Sequence, residues 1–147
     1  MDDIDLLVKL RIAYLSSENK IQSQSDAENI EKKLRGYFEE WLPGGDFFAI
    51  VAEENDEVCA SAFLSVAERP PFSGSASNLV GTVYNVFTYP QHRRKGIASK
   101  VMLALLDEAR TMGVATVDLS ATADGKPLYD RLGFKVSRYT SMSIKFG

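Results

Sequence analysis

Residues 89–99 read YPQHRRKGIAS: three consecutive cations, then a glycine, then the start of an apolar run. A helix opening at such a glycine leaves its first backbone N–H groups unpaired and presents the positive end of its dipole, so it attracts anions. Gly96 would let a phosphate approach backbone that a β-carbon shields, while Arg93, Arg94 and Lys95 add local positive charge. The chemistry favoured by this spacing is the cradling of a phosphate-bearing ligand. Two familiar phosphate loops are excluded, since neither G-x-x-x-x-G-K-[ST] nor G-x-G-x-x-G occurs.

Such a cradle needs a strand that stops just before it and a helix that starts at it. LVGTVYNVFTY is β-branched and aromatic and is closed by Pro90. Beyond the turn, Ala98, Met102, Leu105, Leu106, Ala109 and Met112 repeat at helical spacing along one face until Gly113. Upstream, Ile4, Leu7, Val8, Ile12 and Leu15 predict an amphipathic helix over 3–16. A second helix carries Ile30, Leu34, Tyr37, Phe38 and Trp41, with Ser25 or Asp26 as its cap and PGG as its stop. DFFAIVAEEN and EVCASAFLSVAE form a predicted hairpin turning at Asn55 and Asp56. RPPFSGSASN is a loop, either substrate-facing or a plain surface connection. VATVDLSA predicts a strand, DGKPLYDRLGF a short helix ended by Gly133, and VSRYTSMSIKF alternates as a last strand. Trp41, Phe47 and Phe48 are expected to fill core, as are Met102 and Met112. The order is an α+β pattern containing one strand-helix-strand unit.

The chain's 147 residues make one domain, 1–147, large enough for a real core. A formal net charge of −3 argues against bulk attraction to nucleic acid. Cys59, alone of its kind, excludes an internal disulfide and a multi-cysteine metal site; it reads as a buried strand residue. The acidic start MDDIDLLVKLR lacks the features of a signal peptide, and no run approaches the length of a membrane span. These features predict a cytoplasmic protein.

RRKGIA matches the Q/R-x-x-G-x-G/A signature of the GCN5-related N-acetyltransferase (GNAT) superfamily, with Arg93 first, Gly96 as the glycine and Ala98 in the final small position. The strand YNVFTYP before it, the amphipathic helix after it and LSATADGKPLYDRLGFK at the place of the superfamily's second motif extend the resemblance from the N-terminal helices to LGF at 132–134. It implies the three-layer GNAT fold: a mixed, mostly antiparallel sheet with helices on both faces and a splayed parallel pair, here 82–89 and 114–120. It also implies acetyl-CoA as cosubstrate. The backbone of Val86, Phe87 and Thr88 would bond the pantetheine arm. Arg94, Lys95, Gly96, Ile97, Ala98 and Ser99 would wrap the pyrophosphate, with Arg93 in the same turn. Asp124, Gly125 and Lys126 stand where some relatives carry a cofactor-binding asparagine; Thr122 or local backbone would serve instead.

The implied reaction moves an acetyl group directly to a primary amine of a small molecule, amino acid, antibiotic or peptide N-terminus. Tyr129 occupies the place of the acid that reprotonates the leaving thiolate, and a phenol pKa of about 10 against about 8.5 for a thiol suits that task. Glu68 is the candidate base, Tyr84 and Asn85 candidates to orient the amine or a water, and a water chain is an alternative base. His92, beside the phosphate turn, is expected on the solvent or phosphate side, far from the thioester. No metal, nucleic acid or membrane is expected, and a homodimer would be ordinary for such a protein. A different class of reading, an acyl-CoA-binding sensor without turnover, shares the same cradle; a nucleic-acid module built on HRRK has no aromatic-basic interleaving behind it.

Overall fold

Asp2 caps the first helix, α1 (Asp3–Ser17), in a computed structural model that describes residues 2–147: its carboxylate accepts the Asp5 N–H at 2.8 Å. The second helix, α2 (Gln24–Trp41), is capped by Ser23, not by Ser25 or Asp26. In the polar run QSQSD, reciprocal bonding selects the cap. Ser23 Oγ accepts the Asp26 N–H, and the Asp26 carboxylate accepts the Gln22 N–H, both at 3.1 Å, close to the logic of a capping box.

Strands β1 (Phe47–Glu54) and β2 (Glu57–Glu68) form the expected antiparallel hairpin. Asn55 and Asp56 both take positive φ, 55° and 62°, as a tight hairpin turn requires. β3 (Leu79–Thr88) continues the meander. A short 3₁₀ turn at Pro90–His92 leads to α3 (Ile97–Thr111), which returns the chain to β4 (Thr116–Asp118) parallel to β3; α4 (Lys126–Leu132) follows. The sheet order is β1-β2-β3-β4.

Both faces of this sheet are covered. Phe47 and Phe63 point into one layer, against Leu7, Val8 and Leu10 of α1 and Leu34 and Phe38 of α2; Phe38 and Phe47 meet the Phe63 ring at 6.0 and 5.5 Å. Their neighbours Ala62 and Leu64 point the other way, onto Val101, Met102, Leu105 and Ala109 of α3. Burial on both faces explains why β1 and β2 read as continuous apolar runs rather than as alternating ones. Met102 is fully buried, Met112 and Phe48 pack at the edge of the α3 layer, and Trp41 stays largely exposed against Tyr37 instead of filling core.

The loop after β2 is tied down at the start of β4: Ser77 Oγ donates to the Gly113 carbonyl at 2.6 Å and Arg69 Nη2 to Thr116 Oγ1 at 3.2 Å. It is a surface connection at that end of the sheet. The expected last strand does not form. Residues 136–146 pair with nothing among the described residues, because alternation fixes which face a strand buries but not which edge it joins.

Candidate active site in the splayed cleft

Three rungs hold β4 to β3: Val80 with Thr116, Gly81 with Val117 and Thr82 with Asp118. From Val83 onward β3 runs to Thr88 with β2 on one side and an open edge on the other. The bend that opens this gap is a bulge. Between the pairs Phe63–Tyr84 and Ser61–Phe87, β2 advances two residues and β3 three, and an extra residue of this kind kinks and twists its strand. Asn85 sits in that bulge at φ 58°, a conformation asparagine tolerates better than most residues.

The Asn85 side chain is 3% exposed and fully committed. Its amide donates to the Leu10 carbonyl at 3.3 Å and to Ser61 Oγ at 3.2 Å, its oxygen accepts from Arg11 Nη1 at 3.4 Å, and Ser61 Oγ donates to the Asn85 carbonyl at 3.1 Å. It fastens α1 and β2 to the bulge from beneath the cleft.

At the far end of β3, two of the three cations in the turn are spoken for. Arg93 folds back, Nε donating to the Thr88 carbonyl at 2.9 Å with the guanidinium 5.9 Å from the Phe87 ring. Lys95 Nζ lies 3.2 Å from Glu54 Oε1, and His92 Nδ1 3.4 Å from Glu54 Oε2. Lys95 first, then His92, hold the Glu54 carboxyl below its ordinary range. One carboxylate on β1 thus anchors both sides of the turn, and His92 is buried with Nε2 unpartnered. Arg94, at φ 65°, makes none of these contacts.

Gly96 is the N-cap of α3 at φ 75°, with no side-chain cap. A β-carbon there would meet nothing within 4 Å, so the space in front of the helix is open. The first intrahelical bond runs from the Lys100 N–H to the Gly96 carbonyl at 3.3 Å, which leaves the N–H groups of Ile97, Ala98 and Ser99 facing that space. Residues 94–99 therefore surround one uncapped helix mouth. The donor set fits a pyrophosphate: neutral backbone donors, a left-handed turn and, in Arg94, a nearby guanidinium with no ion-pair partner among the described residues.

Tyr129 lies in α4, the helix that follows β4. Gly125 precedes it because a β-carbon there would lie 3.1 Å from the Tyr129 ring, and the Gly125 N–H is held by Thr122 Oγ1 at 3.0 Å. The ring packs edge-on to Phe134 at 5.9 Å. Burial, then the neighbouring Tyr14 phenol, push the Tyr129 phenol above its ordinary value. Tyr14 of α1 meets the Phe87 ring at 6.4 Å, and the Arg11 guanidinium lies 5.6 Å from the Tyr14 ring, its pKa lowered by burial against the pull of Tyr14, Tyr84 and Tyr37.

Arg11 and Tyr14 are absent from the sequence-based candidates. Their signal was a cation and a phenol on the apolar stripe of α1, four and seven residues after Leu7. Glu68 is exposed and pairs with Leu79, beyond the rungs that still hold β3 to β4, so it lies at the closed end of the pair. Of the residues expected to line the pantetheine arm, Phe87 is buried, Val86 packs into the α3 layer, and the Thr88 carbonyl accepts from Arg93. Cys59 is buried, its Sγ 3.4 Å from the Ala52 carbonyl, and burial pushes its thiol up, away from nucleophilic use. With Glu54 and His92 it brings three potential ligand atoms within 4.8 Å of one another, a grouping invisible in the sequence.

Among the described residues no helix is long and apolar enough to cross a membrane. An uncharacterized N-acetyltransferase of Streptomyces griseus is 31% identical over 84 residues, 57% of this chain and 20% of its own length. The L-methionine sulfoximine/L-methionine sulfone acetyltransferase of Salmonella typhimurium is 32% identical over 103 residues, 67% of this chain and 57% of its own. The chain thus spans less than two thirds of either relative. A solved structure from Clostridium acetobutylicum, described as a predicted acetyltransferase with acetyl-CoA, superposes with a TM-score of 0.82 at 30% identity, over 96% of this chain and 90% of that one. Residues 12–134 match the family described as Acetyltransferase (GNAT) family, and with the splayed β3–β4 pair and the uncapped α3 mouth already in place, the chain belongs to that family.

Proposed function

We propose that this protein transfers the acetyl group of acetyl-CoA to the primary amine of an acceptor. The observation that carries this reading is the continuity of two features: a β3–β4 pair that parts after Thr82, and an open helix mouth at residues 94–99 at the end of the same gap. Acetyl-CoA supplies the activated thioester. Backbone donors of Ile97, Ala98 and Ser99 hold its pyrophosphate, Arg94 neutralises the charge, and the open edge of β3 beyond Val83 accepts the pantetheine amides as a further strand would.

Tyr129 carries its proton at neutral pH, as a phenol of ordinary pKa about 10 does, and burial raises its pKa further. When the amine nitrogen bonds the acetyl carbon and the carbon–sulfur bond breaks, the phenol delivers that proton to sulfur. The amine's own proton leaves through water, since Glu68 is at the closed end and the Asn85 side chain is committed. Arg11, Tyr14 and Tyr84 form the polar lining nearest the bulge and are our candidates for positioning the acceptor. Its class is a small primary amine; amino-acid derivatives head the panel to be tried, following the Salmonella relative.

The test is thiol release from acetyl-CoA across a panel of amines. Turnover is expected with at least one amine, and Tyr129→Phe is expected to lower kcat at least about tenfold while acetyl-CoA affinity by calorimetry stays unchanged. Full activity in Tyr129→Phe would remove the phenol from the mechanism. Acetyl-CoA binding without turnover on any amine would favour the sensor.

A further inference from the structure

Glu54, Cys59 and His92 bring an oxygen, a sulfur and a nitrogen within 4.8 Å of one another, and the backbone sets the grouping. Glu54 ends β1 and Cys59 lies near the start of β2, so the turn at Asn55 and Asp56 folds them together. Between the pairs Glu53–Val58 and Ala52–Ala60, β1 advances one residue and β2 two. Cys59 is therefore the extra residue of a bulge, a device that re-aims a side chain. The Tyr89 N–H bonds the Cys59 carbonyl and the His92 N–H the Tyr89 carbonyl, both at 2.9 Å, which returns the 3₁₀ turn and its imidazole to the hairpin.

The donors have capacity to spare. His92 is 9% exposed, yet its Nδ1 faces Glu54 Oε2 at 3.4 Å, beyond the usual length of an N–H···O bond, and its Nε2 has no hydrogen-bond partner among the described residues. A buried imidazole with neither nitrogen well bonded calls for a further group. Cys59 is fully buried, its Sγ 3.4 Å from the Ala52 carbonyl. The Glu54 carboxylate is divided: Lys95 Nζ holds Oε1 at 3.2 Å, and Oε2 is left to the imidazole.

We propose that Glu54 Oε2, Cys59 Sγ and one nitrogen of His92 bind a zinc ion, with a water completing the tetrahedron. At bond lengths of about 2.0–2.3 Å, neighbouring ligand atoms of such a site stand about 3.3–3.7 Å apart. The Glu54–His92 separation already meets this, and the 4.8 Å limit on the others leaves roughly 1 Å of side-chain movement. Thiolate, imidazole and carboxylate together suit zinc, whereas calcium and magnesium take oxygen ligands. As the sulfur–zinc bond forms, the thiol proton passes to water. One thiolate, one carboxylate and a divalent ion then sum to zero, which suits a buried position. Lys95 stays on Oε1, outside the coordination sphere, and orients the carboxylate as an outer partner does. A single cysteine excludes a multi-cysteine site but not one of mixed donors. The ion fastens β1, β2 and the turn that leads into α3. It is independent of the acetyl-transfer reading.

Titration of the full, chelator-stripped chain with zinc chloride, read by calorimetry, and with cobalt(II), read by absorption, tests it. One zinc per chain is expected at a Kd of about 10 μM or tighter, with Tm raised by at least about 3 °C at one hundred times Kd. Cobalt(II) should give the near-ultraviolet charge-transfer band of a thiolate ligand and the strong visible bands of four-coordination. Because the chain has one cysteine, that band identifies the site in the wild-type protein even where a variant fails to fold. Cys59→Ala should abolish the band. Cys59→Ala and His92→Gln should each weaken zinc binding at least about tenfold while keeping the far-ultraviolet circular dichroism of the metal-free wild type. Zinc binding weaker than about 10 μM, a cobalt spectrum without the thiolate band, or an affinity undiminished in either folded variant overturns the proposal.

Discussion

Asn85 shows how much a single polar side chain can decide without touching a substrate. Its left-handed backbone makes the bulge, the bulge turns β3 away from β4, and its amide ties the Leu10 carbonyl of α1 and Ser61 Oγ of β2 to β3. Alanine would lose the tolerance for φ 58°, about 1 kcal/mol, and the two buried hydrogen bonds that the amide donates, about 0.5–1.5 kcal/mol each. Asn85→Ala is therefore expected to lower unfolding free energy by roughly 2–4 kcal/mol in urea titration; a loss below about 0.5 kcal/mol, the scatter of neutral surface changes, would show that the bulge stands without it. In the sequence, Asn85 was legible as a special residue but not in its role. A polar residue in an apolar strand is equally consistent with a side chain facing a cleft and with one satisfied beneath it, and only the partners on α1 and β2, seventy-five and twenty-four residues away, separate the two.

Among the elements, the turn into α3 is where local pattern and tertiary outcome agree most fully. The apolar stripe of α3, the Pro90 stop and the glycine at its mouth are all short-range signals, and the helix starts one residue after that glycine. Gly96→Glu separates the two roles of the position. The left-handed φ costs a non-glycine residue about 1 kcal/mol, but the new side chain has open space, so the chain stays folded. A carboxylate at the positive end of the helix would occupy the mouth and repel phosphate. Calorimetry is expected to show acetyl-CoA binding abolished, with circular dichroism unchanged, and normal affinity would sink the cradle. Where elements depend on distant partners, the sequence was less informative. The strand expected over 114–120 is reduced to Thr116–Asp118 because the splay removes its neighbour on one side and no strand covers the other. Residues 136–146 likewise have no paired neighbour among the described residues.

For the whole molecule, the pairing pattern implies an uneven distribution of stability. β2 is paired on both sides over residues 60–65 and buried through most of that span, whereas β4 hangs on three rungs and α4 buries no residue completely. The β4–α4 unit should therefore open locally at a lower free energy than the β1–β2–β3 meander. A ligand held as proposed, by the mouth of α3, the edge of β3 and Tyr129, would touch both units. Binding to the closed form alone stabilises it by about 2.7 kcal/mol at one hundred times Kd. Native-state hydrogen exchange at one fixed protein concentration should thus show β4 and α4 amides exchanging well before those of β2. Saturating acetyl-CoA should slow β4 and α4 by at least about tenfold and leave β2 governed by global unfolding. Equal protection of β4 and β2 without ligand would mean that three rungs suffice to make one cooperative unit. Unchanged exchange in β4 and α4 on saturation would mean that the ligand does not bridge the two units, and the cleft would then be a feature of the fold that binding does not use.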